Sequence, residues 1–244
     1  MKNPLLCLNF PKFGLSIEDT ALMDDRTLVV IKWNWDYAQS HAFQKTSVAL
    51  LQEHPRLRVL ICCSHPQLFT MGRGLQRPKK GQQLNLVDYN GDGTDLPFPY
   101  HKIERGGGLT FHHPGQFIFY PILKLNPKTL SLSKMIDDIL RMTSETLALW
   151  SLPGTHSQNE LLGLWKGDKK IASMGIAIDK LTTYHGMALN FYTDHEMKKA
   201  LMALKPCGIN PGTYSSVDEF VFLPEGSLEK FTLDFLKKVK DGWQ

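Results

Sequence analysis

Hydrophobic positions along the chain recur with two different periods. Residues 27–33, TLVVIKW, form a run dominated by β-branched side chains and predict a strand. In residues 36–55 the apolar positions Ala38, Ala42, Val48 and Leu51 follow helical spacing and end at Pro55, which predicts a helix. The apolar run LRVLICCS (57–64) predicts a buried strand, and HPQLFTMGRG (65–74) a loop. Residues 76–98 are polar and rich in Gly, Asn and Asp; an exposed loop or small hairpin of that length suits a lid or binding segment. QFIFYPILKL (116–125) reads as a strand. Residues 131–150 give an amphipathic helix with Met135, Ile136, Ile139, Leu140 and Met142 near one face. Strands at 161–167 and 169–179 flank a tight turn at Gly167-Asp168; a further strand covers 184–193, and a helix covers 227–243. Strands and helices mix without regular βαβ alternation. The expected fold is therefore α/β in the broad α+β sense: one domain over residues 1–244, with a mixed, partly antiparallel sheet flanked by helices.

Composition narrows the class only a little. Of the 244 residues 42% are hydrophobic and 21% charged, which leaves enough apolar surface for a sizeable core. A formal charge of +4 is mild, and no Lys/Arg block interleaves with aromatics, so no nucleic-acid partner is expected. No apolar run approaches the ~18–20 residues of a membrane span, and no membrane association is expected. The opening MKNPLLCLNFPKFG is broken by Asn9 and Pro11 and lacks the pattern of a signal peptide. Cys7, Cys62, Cys63 and Cys207 lack metal-site spacing, and Cys62 and Cys63 lie in an apolar run where a thiol acts as a small hydrophobe. A reduced, cytoplasmic protein is the simplest reading.

Candidate chemistry concentrates in ERGGGLTFHHPGQ (104–116), where Gly106, Gly107 and Gly108 follow Arg105 and precede His112 and His113. Consecutive glycines imply that the main chain approaches something closely. The segment lacks the Gly-Lys-Ser/Thr ending of a phosphate-binding loop and the Gly-x-Gly-x-x-Gly of a dinucleotide site. If it is extended, His112 and His113 point to opposite faces. Neither they nor His185 belong to a zinc-type spacing, so no metal is expected, and a hydrogen-bonded place in a pocket wall fits each. Cys207 stands in a loop, KPCGINPGT, where a lowered pKa would make it a nucleophile and where an incidental loop thiol is the plainer alternative. Lys169 and Lys170 read by default as solvated, although Lys170, directly before IASMGIAI, is placed to point from a strand into a site.

The combination of blocks is more specific than any one. RGGGLTFHHPGQFIFYPILKL resembles the signature of the octanoyltransferase family of protein lipoylation, and SHPQLFTMGRG, KKIASMGIAI, TTYHGMALNF and KPCGI resemble its other blocks in the same order. The resemblance covers about residues 60–210. It implies the biotin/lipoate protein ligase catalytic fold and an acyl transfer without a cofactor. Cys207 would take an octanoyl group from octanoyl-acyl carrier protein as a thioester. A lysine of a lipoyl domain, in a 2-oxoacid dehydrogenase complex or the glycine cleavage H protein, would then receive it as an amide. Lys170 matches the family lysine paired with the cysteine. Arg105, Gly106, Gly107, Gly108, Leu109, Thr110, Phe111, His112, Ser173, Met174, Gly175, His185, Gly186 and Met187 match its acyl-substrate positions. Two departures stand out: His113 occupies the place of a family glycine, and the 76–98 segment is longer and more polar than the family's. A lipoyl amidotransferase or lipoate ligase of the same fold, and a non-catalytic binder of acylated carrier domains, are the alternatives; the Pro-Cys-Gly cysteine argues against an ATP-using ligase.

Overall fold

Strand β7 (Gln116–Leu123) is buried at every position, and its alternating side chains feed two separate cores. Phe117, Phe119 and Leu123 face one side, whereas Ile118, Tyr120 and Ile122 face the other. A strand covered on both faces reads as a continuous apolar run, which is how it appears in the sequence. The computed structural model describes residues 3–74, 91–158, 161–204 and 211–243.

Around β7 the main sheet has eight strands: β1 (Thr20–Asp24), β2 (Thr27–Lys32), β3 (Arg58–Cys63), β7, β11 (Thr182–Asn190), β10 (Lys169–Asp179), β9 (Gly163–Lys166) and β8 (Thr155–Ser157), in that spatial order. Among the described strands of this sheet only β2 and β3 pair in parallel, and helix α1 (Tyr37–Glu53) makes the crossover between them. Asp36 caps α1 by accepting from the Gln39 N–H at 2.9 Å. Val48 and Leu51 of α1 join the core that contains Ile118 and Tyr120. On the opposite face, α2 (Leu132–Leu149) and α4 (Ser227–Gly242) cover Phe117 and Phe119. There Phe119 meets Phe235 edge-on at 4.8 Å, the aromatic geometry that adds to plain burial. No helix among the described residues is long and apolar enough to cross a membrane.

The expected mixed, partly antiparallel sheet flanked by helices is found, and three details differ. Among the described residues there is a second sheet, in which β5 (Tyr100–Lys102), β4 (Leu68–Met71) and β6 (Leu109–His112) stand apart from the main one. Residues 68–71, expected in a loop, are its central strand, because Phe69 finds Phe111 across the pair and both are buried. Four residues are too few for a period to declare itself; the tertiary partner decides. Helix α3 (His195–Leu204) was not foreseen either, and neither were the short strands β1, β5 and β8. Most of the 76–98 segment lies outside the described residues.

Candidate active site

The small sheet stands over β10 and β11, and a cleft opens between them. Register brings two sequence-distant blocks together: Met174 pairs with Met187, Gly175 with Gly186, and Ile176 with His185. The glycine segment lies across this pair. Gly106 N–H donates to Ile176 O at 3.1 Å, and a Cβ on Gly175 would come within 2.9 Å of Gly106 O. Gly107 turns the chain with φ +83°, a left-handed conformation that glycine adopts without strain. The absent side chains thus let backbone approach backbone, and the cleft forms beside that junction.

Arg105 is buried and held. Its Nη2 donates to Thr70 O and Thr70 Oγ1, both at 2.9 Å, and Nη1 to Gly106 O at 3.0 Å. From Thr70 the network runs on: Thr70 Oγ1 meets His112 Nε2 at 3.2 Å, and His112 Nδ1 meets Gln116 Oε1 at 3.0 Å. Gln116 Nε2 donates to Phe111 O and Asn190 Oδ1, which fixes Oε1 as the acceptor end of the amide. His112 Nδ1 therefore carries the proton, and Nε2 accepts from the Thr70 hydroxyl. Burial, then the nearby His65 and Arg105, hold the His112 pKa well below the usual imidazole value, so the ring is neutral at physiological pH. His65 is neutral too, pushed by burial to about 4, with Nδ1 bonded to Trp35 O at 2.7 Å and Nε2 to the Tyr120 hydroxyl at 3.1 Å.

The cleft lining includes Arg105, Gly107, Gly108, Leu109, Thr110, His112, Lys170, Ser173, Met174, Gly175, His185, Gly186 and Met187. Ile103, Leu161 and Leu162 extend its apolar wall, and Tyr37 and Tyr120 also line it. Gly106 stands behind the lining. Phe111 alternates away into the small core with Phe69 and borders an adjoining hollow beside Met197 and Tyr214. His113 also turns away from the cleft: its Nδ1 accepts from the Gly115 N–H at 3.2 Å and lies 4.0 Å from Asp194. Adjacent positions on an extended segment oppose each other, as the alternation of His112 and His113 requires.

Lys170 is buried on the cleft wall, its Nζ 5.8 Å from the Trp165 ring centre, whereas Lys169 reaches outward and donates to Gly212 O at 2.6 Å. Cys207 lies outside the described residues. The chain on its two sides is described: α3 ends at Leu204, and Tyr214 bridges to Lys170 while Ser215 N–H donates to Lys170 O at 3.0 Å. Cys62 and Cys63 are fully buried, and burial raises both thiols above their ordinary pKa, which leaves them unreactive. The sequence reading passed over Thr70, Gln116 and Asn190, the connecting members of the polar network. All three stand inside blocks that carry the family resemblance, yet only their contacts reveal the role.

Comparisons with known proteins agree with this architecture. The family model for the lipoyl protein ligase A/B catalytic domain matches residues 36–239. An octanoyltransferase of Nostoc sp. is 30% identical over 199 residues, 81% of this chain and 84% of the relative. An octanoyltransferase of Synechococcus elongatus is 33% identical over 186 residues, 76% and 74% of the two chains. Among solved structures, a lipoate-protein ligase A bound with ATP superposes with TM-score 0.60 at 15% identity over 88% of this chain and 85% of that one. A bi-partite lipoate protein ligase from Thermoplasma acidophilum gives TM-score 0.58 at 14% identity, covering 88% and 83%. At such identities the two structures share the fold.

Proposed function

Because the chain belongs to the lipoyl protein ligase A/B catalytic-domain family, and its relatives at about a third identity are octanoyltransferases, we propose that it moves an octanoyl group from acyl carrier protein to the lysine of a lipoyl domain. Residues 1–244 act in this reading as one catalytic unit, and the bacterial relatives fit a cytoplasmic setting. The observation that carries the reading is the cleft itself. Its apolar wall of Ile103, Leu109, Leu161, Leu162, Met174 and Met187 suits a hydrocarbon chain, and a buried lysine stands at its edge.

The reaction proceeds in two transfers. The Cys207 thiolate attacks the thioester carbonyl carbon of the donor; the bond to the carrier's phosphopantetheine sulfur breaks, and that sulfur leaves as a thiol after taking a proton. The amine of the acceptor lysine then attacks the Cys207 thioester, the carbon–sulfur bond breaks, and an amide forms as the amine loses its proton. A free thiol of pKa ~8.5 is only slightly ionised near neutrality, so a cation beside it raises the reactive fraction. Lys170 takes that part, and in its neutral form it accepts the proton of the incoming amine. Support for the pairing comes from the backbone bridge of Tyr214, seven residues after Cys207, to Lys170. Arg105 and the neutral His112 shape the polar end of the cleft where the thioester lies.

Intact-mass analysis after incubation with octanoyl-acyl carrier protein tests the reading. The parent protein and its Cys62→Ser and Cys63→Ser variants gain one octanoyl group, and Cys207→Ser gains none. An adduct that persists in Cys207→Ser, or transfer that requires ATP, overturns it.

A further inference from the structure

Behind His185 of the cleft wall lies a second cluster, two of whose residues, His41 and Glu104, have no part in that reaction. Helix α1 brings His41, the turn before Arg105 brings Glu104, and β11 brings His185; one ligand atom from each lies within 4.8 Å of the others. His41 Nε2 and Glu104 Oε2 are 3.2 Å apart, close to the ~3.3 Å edge of a tetrahedron with zinc-type bonds of about 2.0–2.1 Å. All three atoms are buried; the first two face each other as an ion pair, and His185 Nε2 has no hydrogen-bond partner. Pairing of His41 with Glu104 leaves the buried His185 Nε2 unsatisfied, whereas a shared cation satisfies all three atoms at once.

The supporting structure holds the donors in place. Three residues after His41 on α1, Gln44 Oε1 accepts the His185 backbone N–H at 2.8 Å, so one helix face both meets and anchors β11. His185 itself has φ +58°, a strained conformation for a non-glycine residue that the surroundings impose. Neighbouring cations do not close the site. Lys45 Nζ stands 3.5 Å from the other carboxylate oxygen, Glu104 Oε1, and is half-exposed. The Arg105 guanidinium is turned away into Thr70.

The geometry points to a divalent transition-metal site formed by His41, Glu104 and His185. Two imidazoles and a carboxylate match zinc and its first-row neighbours rather than magnesium or calcium, which favour all-oxygen sets. His185 also lines the acyl cleft, so an ion there would add positive charge to its wall.

The test is a titration of the chelator-treated full chain with Co2+, followed by displacement with Zn2+. The expected result is one equivalent of Co2+ with a nitrogen/oxygen-ligand spectrum, displaced by Zn2+, and a melting temperature raised by either ion. His41→Ala and Glu104→Gln should each weaken binding at least about tenfold, the lower range seen even for residues that merely support metal ligands; the exposed His54→Ala should not. Histidine ring resonances of the unaltered protein give the same answer without a variant: Zn2+ should shift His41 and His185 and leave His156 and His195 unmoved. No binding, undiminished binding in both variants, unmoved His41 and His185 resonances, or an intense thiolate-to-cobalt band would overturn the assignment. Because the readout is metal binding, its failure leaves the acyl-transfer reading standing.

Discussion

Two histidine clusters stand beside one cleft, and they differ in how their polar atoms are matched. Around His112 donors and acceptors follow one another from Arg105 through Thr70 to Gln116 and Asn190. Around His185 the pair His41–Glu104 closes on itself at 3.2 Å, and the His185 Nε2 has no partner. A saturated network rigidifies the wall that carries it, whereas an unsaturated one remains open to an additional ligand. The same burial keeps both central imidazoles neutral, since desolvation is the leading cause of the lowered pKa of His112 and of His185. Neutrality is thus common to the two; saturation separates them.

The saturated network should break expensively. Thr70→Val keeps shape but strands an Arg105 donor and leaves His112 Nε2 without its hydroxyl. Each unsatisfied buried group costs about 1–3 kcal/mol, so chemical denaturation should show a loss of roughly 2–4 kcal/mol, with octanoyl transfer falling alongside. Stability close to the parent would mean that water replaces the hydroxyl and that this wall is no more saturated than the other.

Acid titration gives the next largest effect. His65 has its pKa lowered to about 4 when folded, against an ordinary value near 6.5 in the unfolded chain. Between those values the unfolded state binds more protons, so stability is full above pH ~6.5 and falls as pH drops toward 4. His112 and His185 add to this loss in the same direction. Urea melts across that window should show a decline on the order of a few kcal/mol. A flat profile would place charged imidazoles inside the fold and remove the neutrality shared by the clusters.

Glu104→Gln should be mild for stability, below about 1 kcal/mol, because its pairing with Lys45 and His41 is partly solvated. Its sharper readout is the His41 pKa. Burial lowers that pKa and the Glu104 charge opposes the shift, so loss of the charge should lower it further in an NMR titration. A rise would show that His41 and Glu104 do not share the site. The smallest effect belongs to His113→Gly. With the ring turned from the cleft, relative kcat/KM for hexanoyl, octanoyl and decanoyl donors should change by less than about tenfold, within the ~1–3 kcal/mol that one methylene's worth of pocket provides. A larger change would move His113 to the cleft side.

The contrast between the clusters also marks what a reader of the sequence is able to see. His112, Gln116 and Arg105 share thirteen residues, and the period-two alternation of an extended segment separates His112 from His113 without a structure. His41, Glu104 and His185 show no spacing at all. An expectation of no metal, drawn from the missing His-x₃-His pattern, speaks only to ligands that are neighbours in sequence. Helices α2 and α4 and the long strands β3, β7, β10 and β11 are legible because each repeats its apolar period over several turns or along a continuous run. Strand β4 is not, since Phe69 and Met71 alone establish no period.

The sequence alone determined the doubly buried central strands, the amphipathic helices that cover them, and the family blocks around Arg105, Lys170, His185 and Cys207, because each rests on residues close together in the chain. Tertiary structure decided that β4 and β6 pair into a second sheet, that Gly106 lies against Gly175, and that α1 meets β11 at His41 and His185. Those outcomes depend on which strands become neighbours, and strand order is set by how whole faces pack, a long-range balance of burial that no local period records.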